Sequence, residues 1–500
     1  MSYADHALSR RIADVLRLEP DSRAIEFEDR WYSWRQLDGL TQRVRRAVAA
    51  YPAGRRQVGI LLRNRPEHVA AFLGVLLGGG SVVVLNPARG DDRARADVAA
   101  LHLPLVIGLA ADLTALVAPG SDSARLAIAG LGDEIEIADA GPWQQSSPAP
   151  SGVAVHMLTS GTTGPPKRVD ITYDTLARSV IGPEPERASA PTEHRRGVAI
   201  VNAPLVHIGG IFRVLQCVTA ARPFVLLPRF ELGSWARAVR AHRPKAVSLV
   251  PAALRMVLHS ELSRADLAGV RVATSGTAPL SAEDAEAFYE KFGIPVLTSY
   301  AATEFGGGVA GWTLPDHQRH WAAKRGSVGR ATGGARLRVV DEDGSVLEAG
   351  QTGLLEVIPG QLGPDAEWMR TTDFARIDAD GFLWILGRAD QAIIRGGFKI
   401  MPDDVRGALE GHPAVLGAAV VARPDPRLGE TPVAMVELRG GARATARDLA
   451  EFLRDMLAPY EIPAEMAIVD TIPRTPSGKP DLAAVRRHFH SSDSVPGRPA

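Results

Sequence analysis

Apolar residues gather along the chain in short blocks that alternate with longer amphipathic stretches. Residues 58–62, 66–77 and 81–85 read as strand, helix and strand, and the same order returns at 197–201, 211–220 and 224–227. Pro66 suits a helix start, because the amide it lacks would be unpaired there in any case. Strands and helices joined by short loops predict parallel sheets with helical crossovers, and the runs at 246–250 and 270–275 continue the pattern. From 326 to 386 the rhythm changes. Short strands such as 336–340 and 354–358 are punctuated by Asp343-Gly344 and Asp380-Gly381, a hairpin signal, so an antiparallel, barrel-like unit is expected. Beyond Arg388, a helix over 403–409, a strand over 418–422 and a second helix ending near Leu457, with Thr445 as its N-cap, predict a small α+β domain. Residues 491–500 carry no apolar period and are expected to form a disordered tail.

The predicted fold is therefore α/β. A large N-terminal body over 1–388 holds two parallel-type sheet subdomains and a distorted β-barrel, and a small α+β domain covers 389–490. With 45% hydrophobic and 23% charged residues, the chain has ample material for such a core. Basic and acidic residues number 57 each, so no global field draws the protein to nucleic acid or an anionic membrane, and any anion site must be local. Cys217 is the only cysteine, which excludes a disulfide framework and a cysteine-based zinc cluster; its apolar surroundings predict a buried small hydrophobe. Residues 1–18 mix charges with apolar positions and lack the uncharged core of a signal peptide, and no window is long and apolar enough to span a membrane. A cytoplasmic protein is expected.

The densest chemistry lies in Leu158-Thr-Ser-Gly-Thr-Thr-Gly-Pro-Pro-Lys167, directly behind an apolar strand. Gly161 and Gly164 let the backbone turn its N–H groups toward an anion. Thr159, Ser160, Thr162 and Thr163 add hydroxyl donors, and Lys167 adds a point charge, so the segment reads as a triphosphate cradle. It is not a Walker A loop, whose Gly-Lys is followed by Ser or Thr: here Lys167 is followed by Arg168.

Three further segments follow in order: Thr298-Ser-Tyr-Ala-Ala-Thr-Glu304, then Arg370-Thr-Thr-Asp373 leading to Gly387-Arg388-Ala-Asp390, then Arg474-Thr-Pro-Ser-Gly-Lys479. Together with the cradle they resemble the adenylate-forming superfamily, in its acyl- and aryl-CoA synthetase (AMP-forming) branch. The resemblance covers roughly residues 10 to 488. It implies a body, a mobile C-terminal lid, and an active site between them, using ATP, Mg²⁺ and CoA on a carboxylic acid. The acid would attack the α-phosphorus to give an acyl-adenylate, which CoA then converts to a thioester.

The resemblance also implies roles. The cradle would hold the β and γ phosphates, Thr303 and Lys479 the α-phosphoryl, and Glu304 the magnesium ion. Tyr300 would stack on adenine, while Gly276, Thr277, Ala278 and Pro279 line the base and acyl pocket. Asp373 and Arg388 would bind the ribose. Asp390 would be the hinge, presenting Gly396 and Gly397 to the pantetheine arm after the lid turns. His207 would stand over the carboxylate. Amino-acid-activating relatives keep an aspartate near His207; none occurs between 203 and 216, so an aryl or medium-chain acid and a largely apolar pocket are expected. Gly306-Gly307-Gly308 could enlarge that pocket or only form a tight loop. Ala301, Thr372 and Arg168 stand where the family has glycine, and the path from 358 to 368 is shorter than usual. Delivery of the acyl group to a carrier-protein phosphopantetheine, or a luciferase-like oxygenation, are the alternative second steps.

Overall fold

The structure, a computed structural model, describes residues 3–51, 56–88, 91–118, 121, 123–132, 137–138, 151–159, 167–395, 398–475 and 478–491. The expected 491–500 tail thus falls almost wholly outside the described residues.

The first apolar blocks form Gln57–Leu61, Pro66–Leu77 and Ser81–Leu85, the two strands parallel and in register from Gln57↔Ser81 to Leu61↔Leu85. The helix between them is buried on every side, consistent with its lack of a polar face. These strands sit in a seven-stranded sheet that closes with Val153–Thr159 and, antiparallel to it, Lys167–Thr172. The second block gives Ala199–Val201, Ile208–Thr219 and Phe224–Leu226, in a separate four-stranded sheet where Arg23–Phe27 also pairs with Phe224–Leu226. Both sheets share one hydrophobic core, which includes Trp34, Phe72, Leu215 and the buried Cys217. The runs near 246 and 270 belong to a third, five-stranded sheet, Ala246–Ser248 and Val272–Ser275 being followed by Val296–Ala302.

The region after 326 departs from expectation. It is antiparallel, but Arg336–Val340, Thr352–Ile358, Met369–Ile377 and Leu383–Arg388 make an open four-stranded sheet, and among the described residues no barrel closes. The turn signals were real: Gly344 and Gly381 both have positive φ. Closure does not follow, because hairpin signals specify neighbours and say nothing of whether first and last strands meet.

After Arg388, Pro402–Glu410, the long hairpin Val415–Asp425 and Gly429–Leu438, and Ala446–Arg454 form the α+β unit with its own cores, one centred on Ile393, Val405, Val420 and Leu449. Thr445 caps the second helix in a reciprocal capping box with Asp448. This unit touches the body through Arg255, whose guanidinium donates to Asp284 at 2.6 Å and to Glu410 at 2.9 Å. No helix among the described residues is long and apolar enough to cross a membrane.

Candidate active site

The site is assembled at strand ends. Thr159 lies opposite Lys167 in the edge hairpin of the seven-stranded sheet, so the cradle segment connects two adjacent strands. Ser160, Gly161, Thr162, Thr163 and Gly164 lie outside the described residues, as do Gly396 and Gly397; for Thr159, Lys167 and Asp390 only the backbone is described. Asp390 falls in the single 3₁₀ turn Ala389–Gln391.

Thr303 and Glu304 occupy the 3₁₀ turn Thr303–Phe305 that ends Val296–Ala302. Buried Phe305 anchors it, and Gly306, at φ 68°, reverses the chain in a conformation that favours glycine. Glu304 points to solvent. On the strand before, the Tyr300 hydroxyl donates to Asp373. Burial, then the neighbouring Asp373, pushes the Tyr300 pKa far up, so the phenol remains a donor. Asp373 stands opposite Arg388 in the antiparallel register, and the Arg388 guanidinium donates to the Thr372 hydroxyl at 3.2 and 2.9 Å. Thr372, the departure from glycine, thereby steadies the arginine.

Lys479 arrives from the small domain. Its loop is closed by the Thr475 amide donating to the Lys479 carbonyl at 2.7 Å and the Gly478 amide to the Thr475 carbonyl at 2.8 Å, with Gly478 at φ 81°. Burial lowers the lysine pKa, Arg388 lowers it further, and Glu304 opposes both. The residue stays exposed to water, so the desolvation comes from the protein packed around it. Among the described residues no carboxylate lies within ion-pair distance of it.

His207 is the N-cap of Ile208–Thr219, and its buried Nε2 has no hydrogen-bond partner among the described residues. Burial, then repulsion by Lys479, lowers its pKa to about 4, so the imidazole is neutral at physiological pH. The segment of Gly276, Thr277, Ala278 and Pro279 follows Val272–Ser275 as a loop. It runs close to the next strand, since a Cβ on Gly276 would lie 2.9 Å from the Ser299 hydroxyl, and Thr277 adopts φ 71°.

Two expectations about the pocket change. Gly306 and Gly307 are packing glycines: a Cβ on Gly306 would lie 2.2 Å from Thr175 Cγ2, and one on Gly307 3.0 Å from Gln361 Nε2. The short 358–368 path explains this, because its turn Gly360–Leu362 brings Gln361 in to donate to the Gly308 carbonyl at 2.6 Å. These glycines make a tight loop. The helix that begins at His207 is also less apolar than expected, since Arg213 projects from it and donates to the Thr274 hydroxyl at 3.2 Å. The absence of aspartate between 203 and 216 does not reveal this arginine; the sequence signal for it is a lone charge in an otherwise uncharged helix.

With this geometry in place, comparison with known proteins is specific. Residues 12–360 match the AMP-binding enzyme family and residues 405–479 the AMP-binding enzyme C-terminal domain. The chain belongs to this family, in its acyl- and aryl-CoA synthetase branch. Among its relatives, 4-coumarate–CoA ligase 1 of Oryza sativa subsp. japonica is 29% identical over 492 residues, covering 89% of this chain and 86% of that protein. Sulfoacetate–CoA ligase of Cupriavidus necator is 33% identical over 362 residues, 68% of each. The fold matches ATP-bound MatB from Rhodopseudomonas palustris with a TM-score of 0.81 at 24% identity, over 98% of this chain and 99% of that one. The protein is an AMP-forming ligase that activates an acid and passes it to CoA.

Proposed function

We propose that the cleft formed by His207, Tyr300, Thr303, Glu304, Asp373, Arg388 and Lys479 carries out both half-reactions, and that residues 1–388 and 389–490 are the two bodies that move. The observation that supports this most is Lys479, brought by the small domain to the electrostatic neighbourhood of Glu304, Arg388 and His207 of the body. In the first half-reaction a carboxylate oxygen of the acid bonds to the α-phosphorus of ATP, the bridging P–O bond breaks, and pyrophosphate leaves. Lys479 and Thr303 face the charge that grows on the α-phosphoryl, and neutral His207 sits over the acid without competing for it as a second cation. Asp373, with Tyr300 as its donor and Arg388 opposite, receives the ribose hydroxyls.

Magnesium would be held by Glu304. A lone carboxylate suits an ion ligated mainly by phosphate oxygens and water, and no group of three His, Cys, Asp or Glu residues among the described ones makes a protein-only site. Bound there, it would neutralise phosphate charge. In the second half-reaction the CoA sulfur bonds to the acyl carbon, AMP leaves, and the thiol proton passes to solvent; rotation about Asp390 would replace Lys479 by the face carrying Gly396 and Gly397. The acids are aryl or medium-chain and lack an α-amino group, since residues 203–216 around His207 hold no aspartate to pair with an ammonium. ATP and CoA are intracellular co-substrates, which supports a cytoplasmic location.

The test is pyrophosphate release with a panel of carboxylic acids, with and without CoA. Acid-dependent release and CoA-dependent thioester formation are expected. Transfer only to a carrier-protein phosphopantetheine would replace CoA as acceptor, and release driven best by amino acids would overturn the substrate class.

A further inference from the structure

Helix Ile208–Thr219 has two unlike faces. Ile211, Val214, Leu215 and Val218 pack into the main core, whereas Gly209 and Arg213, one turn apart, share the opposite side. Gly209 and Gly210 differ in what surrounds them. A Cβ on Gly210 would lie 2.2 Å from the Pro204 carbonyl oxygen, so that glycine is required by packing. A Cβ on Gly209 would meet nothing within 4 Å. The helix therefore presents an open lane from His207 at its N-cap, past the bare backbone of Gly209, to the guanidinium of Arg213. Six residues of helix make that lane about 9 Å long.

At its far end Arg213 is held but not neutralised. One N–H donates to Thr274, whose own hydroxyl donates to the Val247 carbonyl at 3.4 Å, and this chain of bonds aims the side chain. Thr274 lies two residues before the loop of Gly276 to Pro279, so the guanidinium is held at the end of the strand that leads into that loop. Among the described residues no carboxylate lies within ion-pair distance of Arg213, and the nearby Cys217 thiol is neutral. The guanidinium is open to water in this structure, yet the surrounding protein desolvates it enough to lower its pKa, and it keeps its charge because arginine cannot be deprotonated in a protein. Among the described residues only one of its five N–H donors has a partner, and the rest remain in the planar fork that fits a carboxylate or sulfonate.

We propose that Arg213 is the specificity residue of the acyl site, and that the preferred acid carries a second, fixed anionic group at the end remote from the reacting carboxylate. This rests on the acid-activating reading above and narrows its substrate class. One carboxylate lies under His207 and Lys479, the body of the acid runs along Gly209, and the distal anion receives Arg213. A monoanionic acid would leave the guanidinium facing an apolar tail, whereas a distal anion turns that cost into a charge-assisted pair.

Matched pairs that differ only in the distal charge test it: terephthalate against benzoate, and adipate against hexanoate. Acid-dependent pyrophosphate release is measured for the full chain and for Arg213→Met and Arg213→Lys. The expected result is a kcat/KM ratio of dianionic to monoanionic acid of ten-fold or more. It should fall to about one in Arg213→Met, through loss on the dianionic acid, and recover in part in Arg213→Lys, which keeps the charge without the fork. A merely structural arginine would lower both members of a pair together and leave the ratio unchanged, which would overturn the proposal. So would a wild-type ratio near or below one with robust release on the monoanionic acids, and in that case the acid-activating reading stands. Release with no acid of any charge would instead overturn that reading, and this inference with it.

Discussion

Arg255 and Arg213 are both arginines that reach from one element of the body to another, and their surroundings are opposite. Arg255 lies between Asp284 and Glu410, the second of which also accepts from Arg406 at 2.8 Å, so both arginines of this contact between body and small domain meet carboxylates. In the cleft, Arg213 and Lys479 have no carboxylate within ion-pair distance among the described residues. A partly buried cation without a carboxylate partner is costly, and an arriving anion would relieve that cost. The arginines around Glu410 are matched, and the two cations of the proposed substrate site are not.

The sharpest way to break this contrast is to remove a cleft cation. Lys479→Ala should reduce adenylation by roughly 10² to 10³, the usual worth of one donor to developing transition-state charge. Thioester formation from synthetic acyl-adenylate and CoA should survive largely intact; equal loss in both assays would show that the lysine serves one arrangement for both steps.

Asp390→Pro should do the reverse. Proline fits the 3₁₀ turn Ala389–Gln391 but fixes φ, so adenylation persists while thioester formation from the adenylate falls at least ten-fold. Normal CoA turnover would move the hinge elsewhere.

Loosening the joint should have a smaller effect. Glu410→Gln leaves Arg255 with Asp284 and Arg406 with Asp403, but it weakens the tie that favours the arrangement seen here. Adenylation should fall a few-fold and the thioester step hold or rise, as read by single-turnover assays of each. A fall in both with a lowered Tm would make the network a support of the fold alone.

The smallest effect concerns His207. With its pKa near 4 in the folded protein against about 6.5 unfolded, it binds no proton between those values while the unfolded chain does. Its contribution to stability is therefore complete above pH 6.5 and is lost as pH falls toward 4. Between pH 7 and 8 its charge is constant. Lys479→Ala should raise the imidazole pKa, seen by NMR of the ring, yet leave it below 6.5, because burial is the larger cause.

How much of this was legible in the sequence depends on the range of the signal. Local ones held: the Pro66 helix start, the Thr445 cap, and the turns at Asp343-Gly344 and Asp380-Gly381, whose glycines have positive φ. Relations between distant segments were not legible. The open sheet expected as a barrel, and the packing of Gly307 on Gln361, depend on which surfaces meet across the fold. Tyr300 was read for its ring, but the bond of its hydroxyl to Asp373, 73 residues away, appears only in three dimensions.

The solitary thiol has a chemical consequence. An acyl-adenylate acylates whatever nucleophile it meets, and a protein that prepares one beside CoA exposes its own sulfur to the same attack. Here Cys217 is 6% exposed, and burial pushes its pKa up to about 12, so almost none is thiolate at neutral pH. With no other cysteine in the chain, this catalyst offers its reactive intermediate no competing thiolate, and its cysteine should stay unlabelled through many turnovers.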